Sequence, residues 1–375
     1  MNGWRIHGLR TGVGRYLLNV VKHWSPGLVA GQFSEINFST PRALEHAGIS
    51  FPENIRERVL ASDWPMLVWE NLRLAPVVRD DVLFCPSYSR PLATRARVVV
   101  TTHDAVQKIH PELFPTAVRV FYSPLYGWSA RHATLVITDS EAGRRDIARY
   151  WGVPISRIRV VYLAPAEIFR PLPDAAGVNS VRKHYVGSDA PFFLFVGKMS
   201  GRRNLRLLLR AFADLKRRRS WPHRLLLVGP NPRQLKIPAL LAELGIWDDV
   251  KHWAYVSDDH LNAIYNAAEA LISPSVYETV SLPVMEAQAT GTPVICIDSA
   301  GMREITGSAA LMIPKLDVDE LAEAMASLAA DGALRRELAA QGLARARQFS
   351  WARCASETLA VLEEAAGLPR PVPPV

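Results

Sequence analysis

The chain has 375 residues, 49% hydrophobic and 21% charged, with a formal net charge of +8. That composition excludes a mainly disordered or collagen-like chain, and the length suggests two to three domains. No uncharged apolar run reaches the roughly 18 residues of a membrane span. Arg5, Arg10 and Arg15, with no apolar block between them, do not read as a secretory leader, so the expected compartment is the cytoplasm.

The chain opens oddly. Residues 1–10 make a poor strand, yet the glycine turn Thr11-Gly-Val-Gly14 follows at once and enters a helix over 15–21. The strand that should feed such a turn is expected to be missing, or the start to lie too far downstream. Short apolar runs then predict strands at 98–102, 134–138, 158–163, 192–196, 225–228, 251–256, 270–273, 293–297 and 311–313. Runs apolar at successive positions suit parallel strands buried on both faces. Helical patterns fall between them, at 142–150, 205–219, 237–244, 258–268, 284–289, 318–330 and 334–348. Strands alternating with helices imply doubly wound α/β sheets. A proline-rich stretch at 165–173 and a small polar one at 174–180 mark a boundary. We therefore expect two Rossmann-like domains, 1–170 and 171–350, followed by a C-terminal helix and proline-rich tail at 351–375.

Cys85, Cys296 and Cys354 are far apart and form no CxxC pair, which points to neither a zinc site nor a disulfide framework. Residues 1–170 hold 21 Lys and Arg against 14 Asp and Glu, while 171–375 hold 23 against 22. A basic first half suggests an anionic partner: a phosphorylated substrate, an acidic membrane or nucleic acid. No zinc-finger spacing or interleaving of aromatic and basic residues favours nucleic acid.

Four constellations carry chemistry. Gly12-x-Gly14 before a helix lets backbone N–H groups approach a phosphate. Leu17 stands where a dinucleotide fingerprint needs its third glycine, while Glu35 falls near the ribose position of such a site. His103-Asp104 follows a strand, at the edge where open α/β sheets bind ligands. Lys198 and Arg203 bracket the helix entrance after the strand at 192–196, and suit a pyrophosphate. Glu278 and Glu286 lie eight residues apart around Pro283, between a strand and a helix. A carboxylate there can hold two hydroxyls of a ribose or hexose.

The segment 277–294 resembles the E-x7-E region of the retaining GT-B glycosyltransferases usually numbered family four. Other pieces match in order: Thr11-Gly-Val-Gly-Arg-Tyr16, His103-Asp104, Ile137-Thr-Asp-Ser140 with Arg144-Arg145, Phe195 through Asn204, Tyr255-Val-Ser257, Tyr265-Asn-Ala-Ala268, Gly301 to Glu304, and Phe349-Ser-Trp351. The resemblance covers about residues 8–360. It implies two Rossmann-like domains facing a central cleft, and sugar transfer from a nucleotide donor with retention. By the same resemblance Gly12, Gly14, Lys198 and Arg203 hold donor phosphates and Glu286 the ribose. Glu278 and His103 contact the transferred sugar, and the loop Thr279, Val280, Ser281, Leu282 lies along the donor. No metal or other cofactor is expected, because cationic side chains and helix ends serve the leaving group.

The sequence departs from the family where Glu-Gly-Phe-Gly is usual and Glu278-Thr279-Val280-Ser281 stands, and where Lys198 replaces an arginine. The leading reading is a glycosyltransferase, with mannose as the expected sugar and a glycan or lipid-linked acceptor. A catalytically lapsed sugar-nucleotide-binding paralogue and a two-domain NAD-dependent dehydrogenase are the alternatives. Trp24, Trp64 and Trp69, with Arg56, Arg58, Arg73 and Arg79, suggest a reversible contact with an anionic membrane; the rival reading is that these tryptophans are buried core, which the apolar stretch around Trp69 favours for that residue.

Overall fold

The computed structural model describes residues 1–7, 12–24, 27, 29, 33–44, 53, 55–173, 175–218, 221–231 and 236–367. Thr11 of the glycine turn and the proline-rich tail 368–375 lie outside these residues. The chain divides into two compact units. Unit 1 takes residues 1–163 and 350–375, and unit 2 takes 164–349.

Unit 2 is built on six parallel strands: β7 (Phe192–Val196), β8 (Arg224–Val228), β9 (Val250–Trp253), β10 (Ala270–Ser273), β11 (Val294–Ile297) and β12 (Leu311–Ile313), in spatial order β12-β11-β10-β7-β8-β9. Counted from β7 this is the doubly wound 3-2-1-4-5-6 arrangement, whose chain direction reverses between β7 and β10. Phe192, Phe193 and Leu194 and the run Leu225, Leu226, Leu227 are fully buried because helices cover both faces. The helix Leu205–Arg218 presents Leu205, Leu208, Leu209, Phe212 and Leu215 to one core, at the spacing of a single helical face. The helices Ala175–Val186 and Asp258–Ala267 pack against the other face around Tyr185, Ile264 and Tyr265.

Unit 1 carries a four-stranded parallel sheet of β3 (Val82–Cys85), β4 (Arg97–Thr101), β5 (Leu135–Thr138) and β6 (Ile158–Val160), and a parallel pair β1 (Ile36–Thr40) and β2 (Ile55–Val59). The expected missing strand has a short counterpart. Asn2 pairs in parallel with Ser39, and its N–H donates to the Phe84 carbonyl at 2.8 Å. Gly3 N–H donates to the Ser39 carbonyl and Ser39 N–H to the Met1 carbonyl. Residues 1–3 thus occupy the place between β1 and β3. A Cβ on Gly3 would lie 2.2 Å from the Phe38 ring, so only glycine fits there. With this stub counted as the first strand, unit 1 repeats the strand order of unit 2.

Two expectations are corrected. The boundary falls at 163/164 rather than 170, ahead of the proline-rich stretch. The final helix, Trp351–Gly367, is not a separate element: it packs in unit 1, where the Trp24 indole N–H donates to the Ala355 carbonyl at 3.0 Å. Trp24 and Trp69 are therefore core residues, 1% and 0% exposed, and neither faces a membrane. The Trp69 indole donates to the Leu60 carbonyl at 2.8 Å, which satisfies its one polar atom inside the core. Among the described residues no helix is long and apolar enough to cross a membrane.

Candidate active site

In unit 2 the loops after β7 and β10 leave the sheet on either side of the reversal, where open α/β sheets hold ligands. Gly197, at φ 148°, ends β7, and Gly229, at φ 142°, ends β8. A Cβ on Gly229 would sit 2.2 Å from the Gly197 carbonyl, so the two turns touch backbone to backbone. The chain then makes a 3-10 turn at Gly201–Arg203, and Asn204, at φ 51°, starts the helix Leu205–Arg218. The Val276 N–H donates to the Arg202 carbonyl at 2.8 Å, tying this loop to the one after β10.

That second loop carries Glu278, whose side chain is 2% exposed. Arg203 Nη1 lies 2.8 Å from its Oε1 and Arg202 Nη1 lies 3.1 Å from its Oε2. A carboxylate so deep is stable only when paired, and here it has two guanidinium partners. Gly301 presses on the same loop from the helix Ala300–Thr306: a Cβ there would stand 2.3 Å from the Glu278 carbonyl and 2.7 Å from Thr279 Cα. Ser281 is the N-cap of the helix Leu282–Thr290, yet its side chain caps nothing. Its hydroxyl is buried without a partner among the described residues, and so is that of Ser275. Thr279 is buried and Val280 half-buried beside them. Glu286, 2% exposed, accepts the Tyr265 hydroxyl at 2.9 Å.

The sequence reading placed Lys198 and Arg203 as the cation pair. In the structure a second arginine stands beside Arg203 on Glu278. Lys198 is exposed and makes no ion pair among the described residues, whereas Arg202 joins Arg203 on Glu278. Arg202 was missed because adjacent arginines on a surface loop look alike in sequence; only the turn at Gly201–Arg203 turns both inward.

In unit 1, His103 follows β4 and Asp139 follows its neighbour β5, so both loops emerge at one sheet edge. His103 Nδ1 lies 2.7 Å from Asp139 Oδ2. Burial alone would lower the imidazole pKa. The Asp139 charge and hydrogen bond outweigh it, with help from Asp104 and the Pro86 carbonyl, and raise the pKa above its ordinary value. Tyr16 and Tyr88 meet the ring edge-on at 5.3 and 5.5 Å. Gly12 begins the helix Gly12–Lys22 in open space, while a Cβ on Gly14 would lie 3.0 Å from the Arg5 carbonyl. Glu35 sits just before β1, at the edge opposite the strand ends that bind ligands, and pairs with Arg56 at 3.2 Å. That placement removes the acidic ribose ligand a dehydrogenase would need.

Family models agree with this geometry. Residues 179–345 match the glycosyl transferases group 1 model, and residues 57–164 match the glycosyl transferase 4-like domain. The chain is a GT-B glycosyltransferase of the family-4 type. It is 29% identical to O-antigen chain mannosyltransferase B of Escherichia coli over 93% of this chain and 95% of that one. It is 30% identical to the MMP alpha-(1->4)-mannosyltransferase of Mycolicibacterium hassiacum over 72% of this chain and 65% of that one. Among solved structures, HepE of Anabaena in complex with UDP and glucose superimposes with a TM-score of 0.74 at 17% identity, covering 95% of this chain and 97% of that one. WaaG, a glycosyltransferase involved in lipopolysaccharide biosynthesis, gives 0.70 at 16% identity, covering 94% and 96%. The sequence expectation of two parallel α/β domains of GT-B type is thereby met, and the chain is a transferase enzyme rather than a dehydrogenase.

Proposed function

We propose that this glycosyltransferase moves mannose from a nucleotide sugar, GDP-mannose, to a glycan or lipid-linked acceptor, with retention at the anomeric carbon. The observation that carries the reading is Glu278 held between Arg202 and Arg203 at the unit 2 reversal, beside an uncapped helix start. Two guanidiniums and the N-terminal end of the helix Leu282–Thr290 form a cradle for a diphosphate. Glu278 takes hydroxyls of the transferred sugar, with the Ser281 hydroxyl near it, and Glu286, steadied by Tyr265, takes the ribose. Lys198 reaches the diphosphate from solvent. In unit 1, His103 keeps the sugar-contacting role and Gly12 and Gly14 the phosphate-side role that the resemblance assigns. Two curated relatives being mannosyltransferases supports mannose, and HepE's complex with UDP supports a nucleoside diphosphate carrier.

In the reaction the bond from the anomeric carbon to the diphosphate oxygen breaks, and one to the acceptor oxygen forms on the same face. The acceptor's proton passes to the departing phosphate oxygen. Arg202 and Arg203 stabilise the charge that develops there, so no metal is required. Incubating the protein with GDP-mannose and a mannoside acceptor in EDTA, and reading the product by NMR, tests all three points. An α-linked product is expected without added cation. A β-linked product would exclude retention, and loss of turnover restored by magnesium would exclude metal independence.

The proposed setting is the cytoplasmic face of an anionic membrane. Trp64 is 42% exposed with the Arg73 guanidinium 5.1 Å over its ring, and Val120, Phe121 and Tyr122 are exposed next to Arg119. Aromatic rings favour the headgroup layer, and each nearby basic residue adds about 1 kcal/mol of attraction. Liposome co-sedimentation is expected to require anionic lipid and to fall with salt. Protein that stays in the supernatant with anionic vesicles at low salt would remove the membrane from the proposal.

A further inference from the structure

The helix Ala300–Thr306 has only seven residues, too few to hold itself in place, so its position is set by what it touches. Its first turn meets the Glu278 loop, where a Cβ on Gly301 would stand 2.3 Å from the Glu278 carbonyl oxygen. That end of the helix is closed locally. The Ser299 hydroxyl accepts the Met302 N–H at 3.3 Å, and Arg303 Nη2 donates to Asp298 Oδ2 at 2.5 Å.

The other end is closed from outside. A helix leaves its last four carbonyls short of intrahelical donors. The Gly307 N–H takes that of Arg303 at 2.9 Å, and the Ala309 N–H takes that of Thr306 at 3.0 Å. The two between them are claimed by one side chain: Arg345 donates from Nη2 to the Glu304 carbonyl, and from Nε to the Ile305 carbonyl at 2.9 Å. Its Nη1 donates to Gln348 Oε1, and its guanidinium carbon lies 5.0 Å from the centre of the Phe349 ring. The plane of this half-buried guanidinium is thereby fixed, and its charge faces the negative end of the helix. Arg345 belongs to the last turn of the helix Gly332–Ala346, which packs along the helix Leu282–Thr290. There a Cβ on Gly342 would lie 3.4 Å from Gln288 Cα, and one on Gly291 3.4 Å from Leu343 Cδ1. Arg345 therefore ties together the two helices that flank the Glu278 loop, one of which carries Glu286.

We propose that Arg345 is a positioning residue for Glu278. By holding the end of the helix Ala300–Thr306, it keeps Gly301 pressed on the loop that aims the carboxylate. Without it two carbonyls must find water, the short helix is free to draw back, and the loop loses its backing. Arg203 and Glu286 stand on other segments and keep their places. The inference rests on the reading that Glu278 takes the transferred sugar, and adds what holds it there.

The test is a double-mutant cycle on sugar transfer from GDP-mannose, with titration of GDP beside it. Arg345→Ala should lower kcat about tenfold, the scale of a small misplacement at the reacting group. Affinity for GDP should stay within about twofold, as for an independent site. Arg345→Lys should recover part of the rate, because one ammonium keeps a charge and a donor at the helix end. It also carries the cycle if Arg345→Ala does not fold. In a Glu278→Ala background, Arg345→Ala should cost no further rate. Amide hydrogen exchange over residues 277–306, which needs no substrate, should quicken in Arg345→Ala. Arg347→Ala, at an exposed position two residues on, should change none of these. Equal losses from Arg345→Ala with and without Glu278 would make Arg345 a general structural residue and overturn the inference. Unchanged exchange over 277–306, or a loss confined to GDP affinity, would overturn it as well. Full transfer by Glu278→Ala alone would show a different failure, that of the reading of Glu278, and would take the inference with it.

Discussion

Glu278→Ala is expected to lower sugar transfer by about 10²–10³-fold while the chain stays folded. The carboxylate is buried, but its partners are not equally so: the Arg203 and Arg202 side chains are 15% and 25% exposed. Removing one partner of a fully buried pair costs about 3–5 kcal/mol, because a charge is stranded. Here the stranded charges are guanidiniums that reach water and bound anions, so the stability loss falls toward 1–2 kcal/mol. The catalytic loss is larger for a separate reason. In the assigned role Glu278 orients the sugar and sets where both arginines point, and removing one preorganised polar contact to a transition state commonly costs 10²–10³ in rate. Steady-state kinetics beside a thermal melt separates the two effects. A folded variant with a rate constant within tenfold of the natural protein would take Glu278 out of the reaction.

Gly301→Ala should produce a comparable loss from a residue that touches no substrate. The added Cβ would stand 2.3 Å from the Glu278 carbonyl oxygen and 2.7 Å from Thr279 Cα and the Thr279 carbonyl oxygen. All three are backbone atoms, so no side chain can swing aside, and the loop that aims Glu278 must move. Overpacking of this kind costs about 1–3 kcal/mol of stability, and the displaced carboxylate should cut transfer more than tenfold. Gly342→Ala is the matched control. Its nearest neighbour would be Gln288 Cα at 3.4 Å, an ordinary contact, and it sits in the helix Gly332–Ala346, where alanine is the better helix former. Activity assays and melts of the two variants should diverge. Equal activity in both would show that the Gly301 contact does not set the Glu278 position.

The contrast between these glycines and the sequence shows what was legible. The strands of unit 2 were readable because burial on both faces demands unbroken apolar runs such as Phe192 to Val196, and all but one begin and end within a residue of expectation, whereas the helices Ala175–Val186 and Ala300–Thr306 went unread. The strand over 251–256 is shorter, Val250–Trp253, because Tyr255 turns out to solvent at 75% exposure. In unit 1 the edge strand Ile55-Arg-Glu-Arg-Val59 went unread, since its charged centre is solvated rather than packed. The stub at residues 1–3 is too short to carry any periodicity. That Glu278, Glu286, His103 and Arg203 fall at strand ends and helix starts was legible through spacing and resemblance. Arg202 was not, because its direction depends on one tight turn.

The central claim is that the unit 2 reversal binds a nucleoside diphosphate through Arg203 and Glu286. Isothermal titration of GDP and UDP into the natural protein, Arg203→Ala and Glu286→Ala tests it most directly. Charge-assisted contacts contribute about 1.5–3 kcal/mol each, so each variant should bind the preferred nucleotide at least tenfold more weakly, with the Arg203 variant losing no less than the Glu286 variant. Affinity unchanged in both variants for every nucleotide that binds the natural protein would contradict the account.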